Sequence, residues 1–158
     1  MDPILSSFDQ SFRSLDRRTR SLLAIATEQQ LFARPRETQD SMATFSCGEY
    51  LLRSAAMVEM TFGGLTSRLW DDPFEWTLAE NLGSREKILE YLDEVESTRR
   101  KGFAFVGSDN ELNRIVPAPS NPKSLVAIIL DALTSSEHYQ GRAFAVFQMI
   151  SNERLPRL

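Results

Sequence analysis

Residues 121–150 read NPKSLVAIILDALTSSEHYQGRAFAVFQMI. Within them Leu125, Ile129, Ala132, Ser136, Tyr139, Ala143, Val146 and Ile150 recur at alternating spacings of four and three. That period lines one face of an α-helix and drifts little over several turns. Asn121 followed by Pro122 predicts the helix start: an N-cap, then a proline where the missing N–H has no partner to lose. A helix this long with one apolar seam needs other helices to cover it, which is the pattern of a bundle.

Three further segments carry the same period. After Asp2-Pro3, another cap and first-turn proline, the stripe is Leu5, Phe8, Phe12, Leu15, Thr19, Leu22 and Ala26. After Ser46, whose partner Glu49 completes a capping box, it is Leu51, Ala55, Val58, Phe62, Leu65 and Leu69. The third long helix is predicted to begin near Ser84, to place Ile88, Leu92 and Val95 on one face, and to end around Gly102 to Gly107. Arg99-Arg100-Lys101 is then expected near its end, where cations complement the helix dipole. Thr27 to Gln30 adds one helical turn, and Ser108 to Glu111 has a second capping-box pattern. No strand-period alternation competes with these stripes. The expectation is an all-α four-helix bundle in one domain, residues 1–158, with a long connection between helices two and three. A chain of 158 residues supports one core, whereas two halves would each be marginal.

Composition excludes several function classes. A net charge of −4 and a pI near 5.1 give no basic field to draw the chain to nucleic acid or anionic lipid. No apolar run is long enough for a bilayer, and charges spread through the first twenty residues argue against a secretory signal. A cytoplasmic location is the expectation. Cys47 is the single cysteine, so no internal disulfide or cysteine-based metal site can form. It falls in a first helical turn, where the dipole favours thiolate and Glu49 opposes it. An inert packing thiol is expected. Gly63-Gly64 inside the second helix is read as permitting close helix approach, and Trp70 and Trp76 as loop anchors.

Searches for phosphate loops, dinucleotide fingerprints, nucleophile elbows and paired-histidine metalloprotease motifs find none. Four passages, in order, instead resemble the DinB/YfiT-like superfamily of metal-dependent enzymes. Residues 28–35 (EQQLFARP) are similar to its "e-q-L-x-x-r-P" after helix one, and residues 46–53 (SCGEYLLR) to its helix-two opening, "s-i-g-e-h-L-x-H". Residues 84–92 (SREKILEYL) look like helix three, and residues 135–150, centred on Gly141, like helix four with its "H-e-x-H-H-r-G-q". The resemblance spans nearly the whole chain. It implies a four-helix bundle, a homodimer, and a transferase or hydrolase working through a metal held by one histidine of helix two and two of helix four.

In this chain those three positions fall on Arg53, Ser135 and Tyr139. A guanidinium repels a cation, and hydroxyls are poor ligands for a borderline metal, so no metal and no cofactor is expected. His138, the only histidine, lies one position out of register, roughly 100° around the helix, and is expected on the surface. Two readings of the trio stay open. Arg53, Ser135 and Tyr139 converge as a pocket for a small anionic ligand, or Arg53 fills a decayed site and pairs with an acid such as Glu49. The function expected is a metal-free, non-catalytic ligand-binding or interaction protein. The alternative is a transferase or hydrolase with a remodelled site.

Overall fold

The computed structural model describes residues 2–35, 45–67, 69–71 and 83–156. The chain is all-α apart from one two-stranded ribbon. Helix α1 spans Pro3–Ile25, α2 Glu28–Phe32, α3 Cys47–Ser67, α4 Arg85–Val106 and α5 Leu125–Ile150; strand β1, Ile115–Val116, pairs antiparallel with β2, Lys123–Ser124. Helix α3 is central, packing most extensively on α5 and then on α4, while α1 leans on both α5 and α4. Among the described residues no helix is long and apolar enough to cross a membrane.

The stripes read from the sequence form the core. Leu5, Phe12, Leu22, Leu51, Phe62, Ile88, Leu125, Ile129 and Phe147 are all sealed from solvent, and Phe12, Phe62 and Phe103 meet edge-on or tilted at its centre. Leu69 departs from its stripe: α3 ends at Ser67 and Leu69 is exposed. Between α3 and α5 small residues on both sides, Ser54, Ala55, Ala132 and Ser136, let the backbones approach closely enough for the Ser54 hydroxyl to donate to the Ser136 carbonyl at 2.8 Å. Nearby, the Gln140 amide nitrogen donates to the Leu15 carbonyl (2.8 Å) and the Thr19 hydroxyl (2.7 Å), so this buried amide is satisfied and ties α5 to α1.

The expected capping box forms at α3, where Ser46 and Glu49 cap reciprocally. The turn expected at Thr27 to Gln30 is α2, and it carries a reciprocal cap of its own. Three others differ. The Asp2 carboxylate accepts from the Asp109 amide at 2.9 Å, while the Asp109 carboxylate takes the free Ile4 and Leu5 N–H groups of α1; the first helix is thus capped from a distant turn. Ser108 makes no side-chain cap, and Asp109–Asn113 is a short 3₁₀ turn. Helix α5 begins three residues later than Pro122 suggests, because Lys123 and Ser124 are held in the ribbon and the Ser124 side chain accepts from the Ala127 N–H.

Helix α4 ends within the expected Gly102 to Gly107, at Val106, with Gly107 at φ +82°, a left-handed conformation suited to glycine. The reading of the basic cluster as helix-end cations is corrected at Arg99. Arg99 is buried and ion-paired with the buried Asp9 of α1, whereas Arg100 is exposed and pairs with Glu96. The seam period simply continues from Val95 through Arg99 to Phe103 and Val106.

Candidate functional site

Helices α3 and α5 run antiparallel in a fixed register: Tyr50 stacks on Tyr139 (centroids 6.5 Å apart) and Ser54 bonds to Ser136 one turn further on. That register brings Arg53 to the level of Ser135 and Tyr139, the trio singled out in the sequence. Each has a distinct setting. Tyr139 is half-buried, against Tyr50 on one side and the edge of His138 on the other. The Arg53 guanidinium lies over the Phe45 ring at 4.0 Å, and Phe45 in turn meets Tyr50 edge-on at 5.6 Å. A second guanidinium, Arg142, sits over Tyr50 at 5.8 Å. The result is a row of aromatic rings flanked by cations, an arrangement in which the negative ring faces attract the guanidinium groups.

Ser135 stands between two cavities. The shallower, about 230 Å³, is bordered by Thr134, Ser135, His138 and Tyr139. The other, about 270 Å³, runs along α3 and α5 past Met57, Met60, Ile128 and Trp70 to the ribbon connection at Ala118. His138 is exposed as expected, yet it borders the shallow cavity. Among the described residues the acids of this region have partners of their own. Glu49 pairs with Arg34 at 2.6 Å and accepts from the Ser46 amide. Glu137 pairs with Arg18 of α1, and Asp131 with Lys123. Burial alone would raise the Glu49 carboxyl, but the Ser46 and Arg34 donors outweigh it and hold its pKa below the ordinary range. Its stabilising bonds are therefore present above the unfolded carboxyl pKa and lost as pH falls through the folded one.

The donors at the three family positions, one guanidinium and two hydroxyls, do not fit a transition metal. Among the described residues no group of three or more His, Cys, Asp and Glu side chains is gathered to hold one. A third cavity of about 30 Å³, between α1, α3 and α4 beside Thr19, Ser54 and Arg99, has room for no more than a water or two.

Gly63-Gly64 works differently from the expected helix-on-helix approach. A Cβ on Gly64 would fall 2.4 Å from the Trp70 ring, whereas one on Gly63 would make an ordinary 3.9 Å contact with the Thr98 methyl. Gly64 therefore seats the indole that walls the larger cavity, and Trp70 is an anchor as read. The reading of Trp76 as a loop anchor lies outside the described residues. Tyr50, Phe45, Arg142 and the two methionines escaped the sequence reading; Tyr50 lies one turn before Arg53, but only the register with α5 reveals its partner.

Cys47 is sealed from solvent, and burial pushes its thiol up to about 12. The folded pKa exceeds the unfolded one, so this contribution to stability is intact below about pH 8.5 and is lost as pH rises beyond it. An aromatic disulfide reagent at pH 8 is expected to label native Cys47 on the order of 100-fold or more slowly than the unfolded chain, given the small thiolate fraction. Rapid stoichiometric labelling of the native protein would contradict the buried placement.

Compared with known proteins, the chain matches no family model and no curated protein.

Proposed function

We propose that this chain is a DinB/YfiT-like bundle that binds a small anion where that superfamily holds its metal, and that it does so without catalysis. The observation that carries the reading is the shallow cavity of Thr134, Ser135, His138 and Tyr139, lined by hydroxyls and an imidazole with no carboxylate among its described walls. Arg53 and Arg142 lie on the aromatic rings beside it. The Thr134 hydroxyl donates to the Leu130 and Asp131 carbonyls, so the Ser135 hydroxyl and the His138 imidazole, next to guanidinium groups, are the groups that favour carboxylate or phosphate oxygens. The order of the long helices and the level placement of Arg53, Ser135 and Tyr139 support the family part of the reading. Assembly as a homodimer in the cytoplasm belongs to the same proposal, and sedimentation of the purified protein tests the dimer.

Phosphate, sulfate or acetate at about a hundred times its dissociation constant should stabilise the natural protein by about 2.7 kcal/mol. In a chain of this length that corresponds to a rise in Tm of roughly 5–10 °C. Arg53→Met keeps the length and apolar stem of the side chain but removes its charge, and should abolish the rise. No shift with any of these anions, or the same shift in Arg53→Met, would defeat the proposal.

A further inference from the structure

The anion cavity does not stand alone. Ser135 borders both it and the 270 Å³ groove, so the two adjoin along the α3–α5 seam. The two ends differ in chemistry. Around Tyr139 the walls offer hydroxyls, an imidazole and, on the adjoining rings, guanidinium groups. Beyond Ser135 they become thioether and hydrocarbon, with half-buried Met57 and Met60 on one side, Ile128 and Ala132 as the floor and Trp70 across the far end. The polar pair at the groove's mouth, Lys123 and Asp131, is closed on itself at 2.6 Å, leaving no net charge to repel an apolar occupant. Trp70 and Ala118 also border the next cavity, about 390 Å³, walled by Leu65, Phe105, Ile115 and Val116 together with Arg114, so a further, largely apolar cavity adjoins the groove at the indole.

We infer that these cavities form one site for an amphipathic anion, with its carboxylate or related acidic head among Ser135, His138 and Tyr139 and its hydrocarbon chain laid along Met57, Met60 and Trp70. This rests on the anion-binding reading and extends it from a charge to a molecule. Three features select that ligand class. The cationic and hydroxyl-rich end has no carboxylate among its described walls, so a head of negative charge is complemented. The larger part of the track is apolar and lies within the size range of small-molecule sites, about 300–1,000 Å³. Methionine side chains are unbranched and polarizable, which suits a wall that must follow a flexible chain rather than a rigid ring. A bare inorganic anion would use only the head end and leave the apolar track unfilled.

Titration calorimetry with acetate, butyrate, hexanoate, octanoate and decanoate, each below its micelle-forming concentration, tests the inference directly. Every methylene that leaves water for the groove tightens binding, by at most about fourfold each. Decanoate carries eight methylenes more than acetate, and burial of only about half of them already makes it bind about 100-fold or more tightly. Decanol, with the same chain and no charge, should bind more weakly than decanoate by about tenfold or more, as expected for loss of a charge-assisted hydrogen bond. The Met57→Gln/Met60→Gln double variant should flatten the chain-length dependence. Should that variant fail to fold, Ala118→Trp, in the ribbon connection, obstructs the same track from outside the helices and should shorten the longest chain that gains affinity.

Equal affinity for acetate and decanoate overturns this inference while leaving the anion site standing. Binding of neither carboxylate overturns this inference, and it overturns the anion site as well only if phosphate and sulfate also fail to bind. Decanoate affinity that is matched by decanol, or that is untouched in the folded double variant, places the chain elsewhere and also overturns it.

Discussion

Asp9→Ala is expected to be among the most destabilising single changes in this protein, costing about 3–5 kcal/mol. Asp9 and Arg99 are both buried and ion-paired across the α1–α4 contact. Removing the carboxylate leaves a guanidinium that is 3% exposed with only Glu96, at 3.9 Å, in reach, and Glu96 already serves Arg100. Arginine cannot shed its charge at accessible pH, so the group stays ionised where the adjoining cavity of about 30 Å³ admits no more than a water or two. Arg13, which pairs with Asp9 at 2.8 Å, is largely exposed and is freed into solvent at little cost. The paired change Asp9→Leu/Arg99→Met should recover most of the loss, since two apolar side chains of similar reach need no compensation. Equilibrium denaturation of the single and double variants measures both terms. A loss below about 1 kcal/mol in Asp9→Ala would mean that Arg99 is solvated by another route.

That pair also shows how far the sequence could be read. Seam periodicity gave the four long helices and their buried faces, because covering an apolar stripe leaves the chain little choice. On that same period Asp9 follows Leu5 by four and precedes Phe12 by three, while Arg99 follows Val95 by four and precedes Phe103 by four. Each is a charge on an apolar seam, which is a signal for a buried pair. Three consecutive basic residues looked instead like a helix end, and the period was stopped too early. Local capping chemistry was legible where both partners are local, as at Ser46 with Glu49. It failed where tertiary structure supplies the partner. Asp2 answers to Asp109, and Pro122 yields to a ribbon that forms only when Ile115 and Val116 come alongside.

The candidate site divides in the same way. Arg53, Ser135 and Tyr139 could be named from family-like spacing, and the α3–α5 register does bring them level. What surrounds them could not be named. That Tyr50 stacks on Tyr139 depends on how α3 and α5 slide past one another, and that Phe45 lies under Arg53 and Arg34 holds Glu49 depends on how the chain enters α3. A one-residue change of the α3–α5 register would exchange the partner of Tyr50 without altering either amphipathic pattern. The Met57–Met60–Trp70 groove is a further step removed, since it needs Gly64 to admit the indole.

Glycine decides the packing at one more place, and there a single methyl group should be costly. A Cβ built on Gly102 of α4 would lie 2.2 Å from the Phe62 ring and 2.8 Å from the Phe62 Cβ. The ring cannot swing aside freely, because it is fully buried between Phe12, at 5.2 Å, and Phe103, at 4.9 Å. Gly102→Ala must therefore separate α4 from α3 or force the three rings off their preferred angles, at about 2–3 kcal/mol even after the better helix propensity of alanine is credited. The matching drop in Tm is roughly 5–10 °C. Gly141 of α5 supplies the control, for nothing lies within 4 Å of its Cβ position and it is exposed. There the same substitution meets no obstacle and should stabilise the helix by up to about 1 kcal/mol. Thermal unfolding of the two variants side by side separates packing from propensity. Gly102→Ala as stable as Gly141→Ala would show that α3 and α4 do not approach one another as closely as Phe62 requires.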